Sequence, residues 1–166
     1  ITADIIISIV ISIVMPTVSI CPVDCTDNVN GIDCLRSNGH LVASSTSSVS
    51  FSCDSLKSVS LPSAYYIGRN AFVGSSNLTS VSMPSAITIY AHAFFGTKLT
   101  SVSMPHVIKI YANAFQDTEL ESVSMPAVTS IGASAFQGTG LTEVTMPKVT
   151  SIGAKAFQGT GLTEVI

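Results

Sequence analysis

From Leu56 onward the apolar and polar positions of the chain recur on a fixed spacing. Leu56, Leu78, Leu99, Leu120 and Leu141 each open a segment reading Leu-x-Ser-Val-Ser-Met-Pro with small edits, and a sixth copy starts at Leu162 and breaks off at Ile166. Successive copies lie 22 residues apart once and 21 residues apart thereafter. A fixed period of this size marks a solenoid in which each copy is one structural unit. Within a copy, Leu-x-Ser-Val-Ser-Met ends in alternation of apolar and hydroxylic residues, which predicts a short, half-buried strand. Pro62, Pro84, Pro105, Pro126 and Pro147 follow. Proline has no N–H to give to a ladder and so ends the strand. The remainder, carrying Val, Ile, Ala and Phe, returns the chain, and Gly-Thr or Gly-Ser turns it toward the next strand. A tight helical turn around Ala-Phe fits the pattern but is too short for propensity to decide.

No copy can bury its apolar side alone, so each must stack on its neighbours. Stacking places equivalent residues in ladders with strands about 4.8 Å apart. The expected core ladders are Phe72, Phe94, Phe115, Phe136 and Phe157, and Val59, Val81, Val102, Val123 and Val144. The fold class read from the pattern is a β-rich solenoid with a parallel sheet on one face and short, 3-10 or helical turns on the other.

The run Leu-x-x-Val-x-Met-Pro-x-Val-x-x-Ile-Gly-x-x-Ala-Phe resembles the BspA-like class of leucine-rich repeat, found in surface proteins of bacteria and of parasitic protists. The resemblance covers 56–166, five near-copies and a partial sixth. It implies a right-handed, curved solenoid used for adhesion and protein binding. Two departures stand out. Family repeats commonly carry Cys after the Gly near the end of the repeat, where this chain has Thr97, Thr118, Thr139 and Thr160, with Ser75 in the first copy. The Gly after Ile is replaced by Tyr90 and Tyr111 in the second and third copies. These two tyrosines are expected to stack on each other, either as local packing or as part of a contact patch.

The residues before the repeats divide into 1–19 and 20–55. Residues 5–14 are the most apolar stretch, with Ile5, Ile7, Ile9, Ile11 and Ile13 on alternate positions. They are too short for an ordinary membrane span, and Pro16 follows at once. One reading is the apolar region of a secretory signal peptide with Ile20 as the mature start; a basic leader and an initiator Met are missing. The other is a structural or assembly segment, because Val10-Ile-Ser-Ile-Val-Met-Pro16 matches the strand motif of the repeats. In that reading Ile5–Ile13, together with Val165 and Ile166 at the other end of the chain, join copies head to tail into a filament.

All four cysteines, Cys21, Cys25, Cys34 and Cys53, fall in 20–55. An even number beside a secretion-like segment reads as two disulfides in an oxidising compartment, with three pairings open. A disulfide-bonded N-terminal cap would cover the apolar end of the first repeat, and Ser48-Val-Ser-Phe51 is the expected capping strand. No CxxC pair supports zinc. Thr26–Asp33 matches a calcium loop only faintly, lacking carboxylates at its first and twelfth positions, and reads as an Asn/Gly turn.

Charge is sparse, with a net of −3, and there is no basic stripe to suit nucleic acid. His40, His92 and His106 have no Cys or carboxylate at metal-ligand spacing. No nucleophile elbow or phosphate-cradling glycine loop occurs. No cofactor, metal or catalytic residue is therefore expected, and the chain reads as non-enzymatic. Asn77-Leu78-Thr79 is an N-glycosylation sequon.

Two surfaces remain for binding. The outer face of the strands should present Ser58, Ser60, Ser80, Ser82, Ser101, Ser103, Ser122, Ser124, Glu143 and Thr145, a flat ladder of hydroxyls that ends in acid. It lacks the aromatics and arginines that dominate interfaces. Diversity lies on the opposite turns, at Tyr65, Tyr66, Arg69, Ile87, His92, Ile108 and Lys109, beside Tyr90 and Tyr111. The expected role is a secreted or cell-surface module binding protein or glycan, with a self-assembling fibre or coat subunit as the alternative.

Overall fold

The computed structural model describes residues 56–165 and two strand segments before them, 32–33 and 40–43. The two early strands, β1 (Ile32–Asp33) and β2 (His40–Ala43), pair antiparallel. Thereafter each full repeat contributes one three-residue and one two-residue strand. The longer ones are β3 (Ser58–Ser60), β5 (Ser80–Ser82), β7 (Ser101–Ser103), β9 (Ser122–Ser124) and β11 (Glu143–Thr145), with β13 (Glu164–Val165) on the same row. The shorter ones are β4 (Tyr66–Ile67), β6 (Thr88–Ile89), β8 (Lys109–Ile110), β10 (Ser130–Ile131) and β12 (Ser151–Ile152). Every described pairing among β2 to β13 is parallel, and equivalent residues face each other: Val59 with Val81, Val81 with Val102, Val123 with Val144. This is a parallel β-solenoid.

Two details differ from the sequence reading. The side opposite the first sheet carries not only turns but a second five-stranded parallel sheet, β4-β6-β8-β10-β12. Repeats stacked at strand spacing bring the backbone after Ile within reach of the previous rung. Tyr90, Tyr111, Gly132 and Gly153 donate their N–H to the carbonyls of Ile67, Ile89, Ile110 and Ile131 at 3.0, 2.9, 2.7 and 2.8 Å. The strand beside β3 is β2, with Leu41 in register with Val59; Ser48–Phe51, the expected capping strand, lies outside the described residues.

The core lies between the sheets and the return turns. Phe72, Phe94, Phe115 and Phe136 are fully buried and stack with centroids 5.1, 5.2 and 5.2 Å apart, and Phe157 continues the column at 5.4 Å. Buried Leu, Val, Met, Ile and Ala complete the rows. The residues standing in the family's Cys position solve a polar problem locally. Thr97, Thr118 and Thr139 are buried, and each hydroxyl donates to the carbonyl three residues back, those of Phe94, Phe115 and Phe136, at 2.9 Å. A buried hydroxyl without such a partner would be costly.

The return segment is a series of tight turns. Val73 donates to Asn70, Phe95 to His92 and Gln116 to Asn113, each at 3.3 Å. Two positions per repeat take a left-handed backbone: one just before Ala-Phe, at Asn70, His92, Asn113, Ser134 and Lys155, with φ between 54° and 61°, and one two residues after Phe, at Gly74, Gly96, Asp117, Gly138 and Gly159. The N–H of the first points forward along the solenoid, for example from Asn113 to the Ala133 carbonyl at 3.0 Å.

The first-sheet row is interrupted once, between β7 and β9. At four of the other steps a threonine clamps adjoining rungs, and at the β2–β3 step Lys57 takes that position. Thr79, Thr100, Thr142 and Thr163 donate both N–H and Oγ1 to the carbonyl one repeat back, those of Lys57, Thr79, Glu121 and Thr142. At the interrupted step the position is Glu121, which has no hydroxyl to donate.

Candidate functional site

Alternation within each three-residue strand turns the central valine inward, buried except at the half-buried Val102, and turns its neighbours outward. On the first sheet Ser80, Ser82, Ser101, Ser103, Ser122, Ser124 and Glu143 are exposed, and Ser58, Ser60 and Thr145 are half-buried. Register aligns the serines rung on rung, and Glu143 adjoins Ser122 on one side and Glu164 on the other. This surface is flat, hydroxylic and acidic toward its C-terminal part. It can offer hydrogen bonds but no large apolar contact.

The second sheet is different. One of its rows runs Tyr66, Thr88, Lys109, Ser130, Ser151, each in register with the next; Tyr66, Lys109 and Ser151 are exposed, Ser130 is half-buried and Thr88 is buried. Two residues further along each strand direction, and so on the same side, stand Gly68, Tyr90, Tyr111, Gly132 and Gly153. The preceding row is Tyr65, Ile87, Ile108, Thr129 and Thr150. Tyr65, Tyr66, Tyr90, Ile108 and Tyr111 retain 59, 50, 39, 40 and 44% of their accessible surface. The rings of Tyr90 and Tyr111 stack at 5.1 Å and 15°. All four tyrosines of the chain thus gather in the first three repeats. In the fourth and fifth the same rows become Thr, Ser and Gly.

Backbone geometry makes the change abrupt. A Cβ on Gly132 would stand 2.5 Å from the Ala112 nitrogen, and one on Gly153 would stand 2.4 Å from that of Ala133. Those rungs leave no room for a Cβ, and glycine takes the tyrosine position after Tyr111.

His92 lies half-buried against Phe95, ring centroids 5.8 Å apart, and its Nδ1 is buried without a hydrogen-bond partner. His106 is exposed, as is Asn77 of the sequon. Asn77 sits in the turn holding the extra residue of the 22-residue first repeat. Val165 is 60% exposed. Cys21, Cys25, Cys34, Cys53, the segment Ile5–Ile13 and Ile166 lie outside the described residues. Among the described residues no group of three His, Cys, Asp or Glu is placed to hold a metal. Among them, too, no helix is long and apolar enough to cross a membrane.

Placing the residues also uncovers a segregation of charge that sequence reading missed. The return halves of the repeats (62–73, 84–95, 105–116, 126–137 and 147–158) contain no Asp or Glu, but do contain Arg69, Lys109, Lys148 and Lys155. The acids from Leu56 onward are Asp117, Glu119, Glu121, Glu143 and Glu164, all on the first-sheet side or its entering turn, where Lys57 and Lys98 also stand. The signal was present in the sequence, but only the alignment of rungs turns it into a surface.

The profile of the BspA type leucine rich repeat region matches residues 44–164 in 6 copies. A search of curated proteins finds no significant match. Among solved structures the fold is similar to a leucine-rich repeat protein from Eubacterium ventriosum, with a TM-score of 0.69, 24% identity, and coverage of 79% of this chain and 40% of that one. It is also similar to a leucine rich cell surface protein from Faecalibacterium prausnitzii, with a TM-score of 0.55, 20% identity, and coverage of 86% of this chain and 54% of that one. The chain therefore spans about half the length of these proteins or less.

Proposed function

This chain belongs to the BspA type leucine rich repeat family, and we propose that it is a non-catalytic, protein-binding module displayed outside the cell, adhesin-like in role. Membership of a repeat family suggests interaction with other proteins. Display at a surface is carried over from the wording attached to one structural neighbour, the leucine rich cell surface protein. The observation that carries the binding reading is the distribution of aromatics. Every repeat-derived Phe ladder is consumed in the core, whereas the four tyrosines remain exposed on one sheet of three adjoining repeats. Tyrosine supplies large contact area at low entropic cost and is enriched at interfaces. A solenoid holds such residues rigidly, because each rung is fixed by its neighbours.

The test is direct. The purified chain is applied to an array of extracellular proteins and glycans and followed by surface plasmon resonance. Saturable binding to at least one protein supports the reading. Binding confined to glycans, or turnover of an array component, contradicts it.

A further inference from the structure

We propose that the tyrosine-bearing second sheet of the first three repeats docks an acidic polypeptide segment. This rests on the protein-binding reading above and adds the surface and the charge of the partner.

Three observations converge. The patch joins Tyr66 and Lys109 in one row, separated only by Thr88, with Tyr90 and Tyr111 in the row beside them. Arg69, exposed, follows Gly68 on the same return segment. A partner laid across these rungs therefore meets apolar ring area, phenolic hydroxyls and two cations together. The return halves of these repeats contain no Asp or Glu, so a carboxylate approaching the patch meets no like charge within them. Along the whole solenoid the opposite side carries Asp117, Glu119, Glu121, Glu143 and Glu164 against Lys57 and Lys98, all exposed, a net negative balance that favours the same partner less. Charge complementarity of this kind sets which surface is chosen and how fast it is found.

Charge favours an acidic polypeptide over a neutral glycan, since Arg69 and Lys109 stand on the return segments that carry the tyrosines. Stacking at 5.1 Å takes one face each of Tyr90 and Tyr111. Ile108, 40% exposed, adds aliphatic surface that suits apolar side chains spaced among the carboxylates.

A random-peptide phage library panned on the immobilised full chain supplies the probe, and enriched peptides are synthesised and titrated by calorimetry. Four proteins are compared: the parent, Tyr90→Ser with Tyr111→Ser, Arg69→Glu with Lys109→Glu, and Ser80→Ala with Ser101→Ala and Ser122→Ala. Circular dichroism confirms that each is folded. The expected result is net-negative peptides whose affinity falls about tenfold or more in the tyrosine and charge-reversal variants. Affinity should stay within about twofold in the serine variant, and weaken as salt rises from about 50 to 500 mM. Neutral or basic peptides, or indifference to Arg69→Glu with Lys109→Glu, overturn this inference and leave the protein-binding reading standing. Loss in the serine variant alone moves the site to the first sheet and likewise overturns it. Enrichment of no peptide overturns this inference and leaves the protein-binding reading to the array, where absence of any protein binding overturns that reading as well.

Discussion

Gly132 lies so close to the rung before it that a Cβ would stand 2.5 Å from the amide nitrogen of Ala112. That contact is with backbone, which cannot swing aside as a side chain can. Gly132→Ala is therefore expected to destabilise the solenoid by about 1–3 kcal/mol, as overpacking does. Gly140→Ala, whose nearest contact is 3.4 Å from the Leu120 carbonyl oxygen, should cost much less. Midpoints of urea unfolding for the two variants check the contrast.

The phenylalanine column predicts a position effect. Phe115 is sandwiched between Phe94 and Phe136, both at 5.2 Å, and is fully buried. Phe157 is only partly buried. Phe115→Ala should cost about 3–5 kcal/mol and Phe157→Ala distinctly less, measured by the same unfolding experiment.

Left-handed backbone at Ser134 (φ 54°) and Lys155 (φ 61°) is an unfavourable choice for those residues. Asn tolerates this region better and already occupies the equivalent places at Asn70 and Asn113. Lys155→Asn and Ser134→Asn are each expected to stabilise by about 0.5–1 kcal/mol. Thermal melting should show a higher midpoint for each.

The interruption between β7 and β9 points to Glu121. All four threonines at its repeat position clamp the rung behind through Oγ1. Glu121→Thr should supply the missing donor to the Thr100 carbonyl and add about 0.5–1.5 kcal/mol. Amide hydrogen exchange should slow at 101–103 and 122–124 in this variant.

Much of this fold was legible because one period sets everything at once. Val59 predicts the place of Val81, and Phe72 that of Phe94, since equivalent residues must stack. The Tyr90–Tyr111 stack followed from the same logic. The second sheet was not legible, because Tyr66–Ile67 and its equivalents are two-residue strands whose pairing depends on rung spacing rather than on any local alternation. Ser48–Phe51 copies the strand motif but lies outside the described residues, and the described strand beside β3 is β2. The tightness at Gly132 was hidden as well. A glycine in sequence does not reveal whether its Cβ would meet backbone or open space, as Gly132 and Gly96 illustrate. For the surface, the exposed serines and tyrosines could be named in advance. The acid-free side could be seen only after the rungs were aligned.

The account holds that the repeats build a rigid core and that recognition belongs to the tyrosines of the second sheet. The most direct measurement takes whichever protein the array identifies and compares its affinity for two folded variants, Tyr90→Ser with Tyr111→Ser and Ser80→Ala with Ser101→Ala and Ser122→Ala. A loss of about tenfold or more in the tyrosine variant, with the serine variant unchanged, is the predicted result. Undiminished binding to the tyrosine variant, with loss in the serine variant, would contradict the account and place recognition on the hydroxyl face.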